Sequence, residues 1–240
     1  MKKIAIIGAG ISGLFFANLL EKDKSYSYKI YEKKTSLDLN DGYGIQLSTN
    51  SITLLNKIGF QKMNASDVYF PRKVNFFDAK NSKKICDVDL SQFNNQGNRY
   101  TTLKRSKLIK FLLENIPVEK FNFNSNLTDI KNLDKLSLSF RDKKNEEFDY
   151  IVASDGVYSR TKQILFKDEG LPKYFNSIVL RGNIHNFKNF DISLYLGANF
   201  HFVIYPINQN KEFNFISIIR KELIQEEITS RNIFKDTTFM

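Results

Sequence analysis

The segment GAGISG at residues 8–13 constrains the fold of this chain more than any other feature. It follows KIAII (3–7), an apolar run of the kind found in buried parallel strands, and it opens a stretch, Ile11 to Leu20, in which apolar residues recur at helical spacing. A second strand is predicted at Tyr28 to Tyr31, so a βαβ unit begins almost at the first residue. In that context the G-x-G-x-x-G spacing has a mechanism. Gly8 permits a tight turn, Gly10 lets the backbone approach a pyrophosphate, and Gly13 lets helix and strand pack closely while helix amides face the phosphates. Glu32 ends the second strand, where a carboxylate accepts hydrogen bonds from both hydroxyls of an adenosine ribose and repels a 2′-phosphate. These residues specify a dinucleotide and do not distinguish NAD from FAD.

The same glycines decide against a competing reading of the N-terminus. Lys2-Lys3 followed by an apolar run to Leu20 imitates a signal peptide or membrane anchor, but no small-residue cleavage site follows and the stretch is marginal for a bilayer span. The expectation is a cytoplasmic protein without a transmembrane helix. Cys86 is the single cysteine, which excludes a disulfide within the chain and any C-x-x-C site, and it is expected to be a buried, inert thiol in a reducing compartment. The 36 basic and 26 acidic residues give a formal charge of +10, which raises nucleic acid as a partner. The runs Lys33-Lys34 and Lys83-Lys84 are short and lack interleaved aromatics, so a solvated basic surface that favours anionic cofactors and substrates is expected instead, with no nucleic-acid partner.

Helical patterning returns at 49–58, closed by Gly59, and at 106–116, with Ser106 as N-cap and Pro117 as stop. Residues 73–78 and 84–90 flank an Asn81-Ser82 turn as a hairpin, and 120–123, 126–130, 135–140 and 147–153 read as further strands. Beyond 174 the chain is mostly alternating strand, at 176–184, 192–196, 200–207 and 213–219, followed by a charged surface helix from Lys221 to Arg231. The expected architecture is α/β: a Rossmann-like FAD-binding domain (1–68 and 99–171) interwoven with a mostly antiparallel substrate sheet (69–98 and 172–240). With 42% apolar residues, 240 residues suffice for a substantial core.

Three further segments resemble the flavoprotein monooxygenases of the para-hydroxybenzoate hydroxylase type, most nearly the salicylate and 3-hydroxybenzoate hydroxylase branch. GYGIQLSTN (42–50) is similar to that family's G-x-G-I-x-L-x-P-N segment, with Thr49 in place of proline. Arg105 followed by Leu108 is similar to its R-x-x-L element, whose arginine reaches the FAD. Residues 150–159 (YIVASDGVYS) resemble its DG motif, which serves both the pyrophosphate and the pyridine nucleotide, with Lys162 at the motif's closing arginine. Leu180-Arg181-Gly182 and HFVIYP (201–206) are similar to segments of the branch's substrate sheet.

The resemblance implies FAD as cofactor, NADH or NADPH as reductant, and hydroxylation of a small phenolic substrate with O2. It implies cofactor contacts at Gly8, Gly10, Ile11, Ser12 and Gly13, at Glu32, Lys33 and Gln46, and at Arg105, Leu127, Asp155 and Gly156, with Ser159 beside them. His201 and Tyr205 are implied to face the phenol, and their i, i+4 spacing puts both on one side of a strand. His201 is a candidate base. The family's second FAD motif, G-D-A followed by a small residue and His, does not occur by Met240. The expectation is a truncated member, completed by a complementary C-terminal segment or a homodimer partner, that alone binds flavin weakly and does not turn over. Three alternatives remain open: a ubiquinone-pathway hydroxylase or other FAD oxidoreductase of the same fold, an NAD-binding dehydrogenase sharing only the first βαβ, and an inactive FAD-binding fragment.

Overall fold

The computed structural model describes residues 1–37, 39, 43–95, 97–141, 143–167 and 173–223. Strand β1 (Lys2–Ile7) leads through helix α1 (Ile11–Glu21) into β2 (Tyr26–Tyr31), as the fingerprint requires. Then come β3 (Gly44–Leu47), α2 (Thr49–Asn56), β4 (Val68–Tyr69) and the hairpin β5 (Lys73–Asp78) and β6 (Lys84–Asp89). After β7 (Thr101–Lys104) and α3 (Arg105–Leu113) follow β8 (Phe121–Asn122), β9 (Leu127–Asn132), β10 (Leu136–Phe140), β11 (Glu146–Phe148) and β12 (Tyr150–Ala153). Helix α4 (Arg160–Phe166) precedes the late strands β13 (Ser177–His185), β14 (Ile192–Leu196), β15 (Phe200–Ile207) and β16 (Glu212–Arg220).

Four sheets result. The parallel one has order β12-β1-β2-β8. Its central strand explains the apolar run KIAII: alternate residues face opposite sides, and both sides are covered. Ile4 and Ile6 pack with Leu14 and Ala17 of α1 and Leu108 and Leu112 of α3. Ala5 and Ile7 pack with Leu127, Leu138, Phe140 and Phe148 of the three-stranded sheet β11-β10-β9. A second three-stranded sheet, β3-β7-β4, lies against the six-stranded sheet β13-β16-β15-β14-β5-β6. All pairs in the six-stranded sheet are antiparallel except β14 with β5. The chain is thus α/β, with a Rossmann-like parallel sheet and a mostly antiparallel late sheet, and the β5–β6 hairpin extends the late sheet. No helix among the described residues is long and apolar enough to cross a membrane.

Several local expectations need correction. Helix α3 starts at Arg105 with Lys104 as N-cap, and Ser106 is buried inside its first turn. Strand β7 runs into the helix without a loop, and the Arg105 amide donates to the Tyr43 carbonyl (2.8 Å). The strand expected over 147–153 is two strands in different sheets. The break falls at Asp149, whose amide bonds to the Lys3 carbonyl (2.9 Å) and whose carboxylate accepts from the Lys3 amide (2.7 Å). Cys86 is exposed rather than buried, because β6 is the outer strand of its sheet among the described residues and its residues face solvent. The helix expected over 221–231 and the boundary at 171–172 fall largely outside the described residues.

Candidate functional site

A cleft of about 690 Å³ opens where β1, β2 and β12 end. Gly8, Gly10, Glu32, Lys33, Arg105, Leu127, Asp155 and Gly156 line it together. The three fingerprint glycines divide into two kinds. Gly8 has φ +100°, and a Cβ there would lie 2.4 Å from the Ser154 carbonyl oxygen. A Cβ on Gly13 would lie 2.1 Å from the carbonyl oxygen of Gly8. Both are demanded by packing of the protein against itself. Gly10 has ordinary backbone angles, φ −78° and ψ −178°, and a Cβ on it would meet no atom within 4 Å. A side chain at Gly10 would therefore start into the open space of the cleft.

The electrostatics suit an anion. Gly10 is the N-cap of α1, no side chain caps that end, and its first turn holds no acidic residue, so the free amides and helix dipole present partial positive charge at the cleft. Arg105, half-buried at the start of α3, adds a full charge. Beside that helix end the Glu32 carboxylate is fixed by two backbone amides, Ala9 to Oε2 (2.9 Å) and Lys34 to Oε1 (3.0 Å). Each oxygen keeps a lone pair for a further donor.

Asp155 is engaged differently. Its Oδ1 accepts from the Ser159 hydroxyl (2.6 Å), and its Oδ2 accepts from the Thr161 amide (2.9 Å) and hydroxyl (3.0 Å). Ser159 Oγ in turn accepts from the Lys162 amide (3.0 Å) as the α4 N-cap. With Gly156 at φ +77°, this network holds the turn from β12 into α4 against the cleft. Asp155 thus shapes the cleft wall through the turn it braces.

The remaining expected residues lie elsewhere. Ile11, Ser12 and Gly13 form the first turn of α1, next to Gly10 and outside the set of residues that line the cleft. The Gln46 side-chain Oε1 accepts from the Tyr100 hydroxyl (2.8 Å), beside the late sheet. His201 is half-buried on β15, while Tyr205 is wholly buried in a cluster with Leu90, Ile192 and Ile207, against which Tyr100 packs. Burial pushes the Tyr205 phenol above the ordinary tyrosine range, only partly opposed by Arg181, so it stays a proton donor at neutral pH. Asn126, Thr128, Arg141, Tyr158 and Arg160 also line the cleft and were not anticipated. Arg160 was legible, since it follows Ser159 in the DG segment. Arg141 was not, because the β9–β10 register brings it in, with its amide on the Asn126 carbonyl (2.9 Å).

Residues 6–38 match the family model of an NAD(P)-binding Rossmann-like domain. Along 94% of its length the chain is 26% identical to an FAD-dependent monooxygenase of Gibberella moniliformis, of which the match covers 60%. Along 95% it is 25% identical to the 3-amino-4-hydroxybenzoate 2-monooxygenase PtmB3 of Streptomyces platensis, covering 59% of that protein. The chain therefore spans about three-fifths of the length of these curated relatives. Klebsiella pneumoniae HpxO, solved with FAD and uric acid, has the same fold with a TM-score of 0.82 at 18% identity, over 96% of this chain and 60% of that one. Over nearly its whole length the chain is similar in sequence to these FAD-dependent monooxygenases, and it shares the fold of HpxO.

Proposed function

We propose that this chain binds FAD and serves a monooxygenase that hydroxylates a small phenolic substrate with O2, using NADH or NADPH as reductant. The observation that carries the reading is the pairing of a fixed Glu32 carboxylate with an uncapped α1 N-terminus beside the empty Cβ direction of Gly10. The adjoining ribose and pyrophosphate of a dinucleotide need those two features side by side in one cleft. Residues 1–68 and 99–171 hold the nucleotide, and 69–98 and 172–240 shape the substrate side. When bound, the flavin supplies hydride acceptance and oxygen activation. The chain's own residues do the rest. Glu32 receives the ribose hydroxyls, Arg105 and the α1 amides hold the phosphates, and Lys33, Leu127 and Gly156 border the adenosine. His201, half-buried on β15, takes the phenol proton, whereas Tyr205, expected from the sequence to face the phenol, is wholly buried and packs in the core beneath the late sheet instead. The lone cysteine fits a reducing, cytoplasmic setting.

The test is to purify the chain with added FAD, record the flavin spectrum after gel filtration, and assay O2-dependent hydroxylation of hydroxybenzoates with each nicotinamide nucleotide. A chain that elutes without flavin yet binds NADH would replace the reading with that of a nicotinamide-binding protein. Within this reading, Glu32→Ala removes two charge-assisted ribose bonds and is expected to cost about 1.5–3 kcal/mol of FAD binding, a roughly 10- to 150-fold rise in the dissociation constant. A rise below twofold in a fluorescence titration counts against the assignment.

A further inference from the structure

Arg141 brings to the nucleotide cleft a cation that no fingerprint residue accounts for. It follows β10 and is exposed, and its guanidinium joins no ion pair and no side-chain hydrogen bond among the described residues. Contacts of its neighbours and of its own backbone set its place. Phe140, buried just before it, stacks on Tyr31 with ring centroids 4.3 Å apart, and Tyr31 directly precedes Glu32. The Arg141 amide donates to the Asn126 carbonyl (2.9 Å), and the Ser125 amide donates to the Glu32 carbonyl (2.9 Å). The ladder between β9 and β10 shifts register between Ser139 and Phe140, which leaves Thr128 as an extra residue on β9. Such a bulge bends the strand end and re-aims the side chains beside it. Arg141 therefore borders the cleft next to the strand that ends at Glu32, together with Asn126, Leu127 and Thr128.

A ribose held at Glu32 carries its phosphate on one side and its base on the other. The phosphate side is already supplied with positive charge by the α1 amides and Arg105. Arg141 is tied to Glu32 through the start of β9 instead, which is the side left for the base. A guanidinium is planar and weakly hydrated, and it lies flat on aromatic faces. The widest such face that a dinucleotide offers beyond its ribose is the purine. Leu127, 7% exposed, gives the same stretch of wall an apolar surface, so a base entering there meets an apolar side chain and a flat cation without a competing ion pair.

We propose that Arg141 stacks on the adenine of the bound dinucleotide and closes the outer side of the adenine pocket. The assignment rests on the dinucleotide reading of the cleft and adds to it the side chain that holds the base. Titration calorimetry with ADP on the unsubstituted chain, Arg141→Ala, Arg141→Tyr and Arg141→Lys tests it, with circular dichroism to check that each variant at this exposed position is folded. Arg141→Ala is expected to raise the ADP dissociation constant about tenfold. Arg141→Tyr, which keeps a flat face without the charge, is expected to stay within about threefold of the unsubstituted chain, whereas Arg141→Lys, which keeps the charge without the plane, falls close to Arg141→Ala. A loss below twofold in Arg141→Ala, an Arg141→Tyr chain as weak as Arg141→Ala, or no binding of ADP by the unsubstituted chain overturns the proposal. The second of these, with Arg141→Lys near the unsubstituted chain, would move the guanidinium onto a phosphate. The flavin spectrum after gel filtration with FAD separates the two readings. A chain that retains flavin while Arg141→Ala binds ADP undiminished refutes the role of Arg141 alone, whereas one that shows the expected ADP series without retaining flavin refutes the flavoprotein reading and leaves the adenine site standing.

Discussion

Gly10→Val is expected to leave the chain folded and unable to retain FAD. The backbone at Gly10 is extended, with φ −78°, and the new Cβ meets no atom within 4 Å, so a side chain starts here into open space without strain at its first atom. Valine is a poor helix N-cap compared with glycine, which costs about 1 kcal/mol, too little to unfold a domain of this size. The added methyl groups instead occupy the space through which a pyrophosphate approaches the α1 amides, and FAD affinity should fall by a factor on the order of 100 or more. Circular dichroism and flavin content after gel filtration check the two halves of this result separately. Gly13→Ala is the informative contrast. Its Cβ would sit 2.1 Å from the Gly8 carbonyl oxygen, so β1 and α1 must separate, and destabilisation of several kcal/mol is expected before any ligand is added. Equal flavin content in Gly10→Val and the parent would mean that the nucleotide lies elsewhere.

This contrast also shows which parts of the molecule were legible in the sequence. The fingerprint was, because each glycine answers a local demand: a turn at Gly8, a contact between neighbouring elements at Gly13, and a ligand approach at Gly10. The DG turn was legible for the same reason, since Asp155, Ser159 and Thr161 bond one another within six residues. The features that escaped depend on which strands become neighbours. Cys86 sits in a segment, KICDVD, whose apolar residues suggest burial, and only the place of β6 at the end of the strand order turns them outward. The strand expected over 147–153 breaks at Asp149 because that residue bonds to Lys3, 146 positions away. Arg141 reaches the cleft through the β9–β10 register, which no local pattern encodes.

The same dependence on distant partners governs the second large effect, expected at Lys104. This residue ends β7 immediately before Arg105, and its Nζ lies 2.6 Å from Glu212 Oε2 at the start of β16. The pair joins the β3-β7-β4 sheet to the late sheet, close to where the Thr102 hydroxyl donates to the Pro206 carbonyl (2.5 Å). The carboxylate side chain is 8% exposed and that of Lys104 25%. Glu212 has one further donor, the Asn208 side-chain amide (2.8 Å). Lys104→Met therefore leaves a desolvated carboxylate with a single neutral donor, and the expected loss is about 3 kcal/mol, the lower end for a broken buried pair because Lys104 is partly solvated. Glu212→Leu alone removes the charge that needs compensation and strands the more exposed partner, so it should cost less. The double variant Lys104→Met/Glu212→Leu replaces both charges with apolar groups and should recover most of the loss, as a buried pair does when exchanged for hydrophobic residues of similar volume. Urea unfolding of the four chains measures this cycle. A cost below about 1 kcal/mol for Lys104→Met would class the pair with solvated surface bridges, and the two sheets would then be held together by their other contacts, Gly44–Asn214 and Thr102–Pro206 among them.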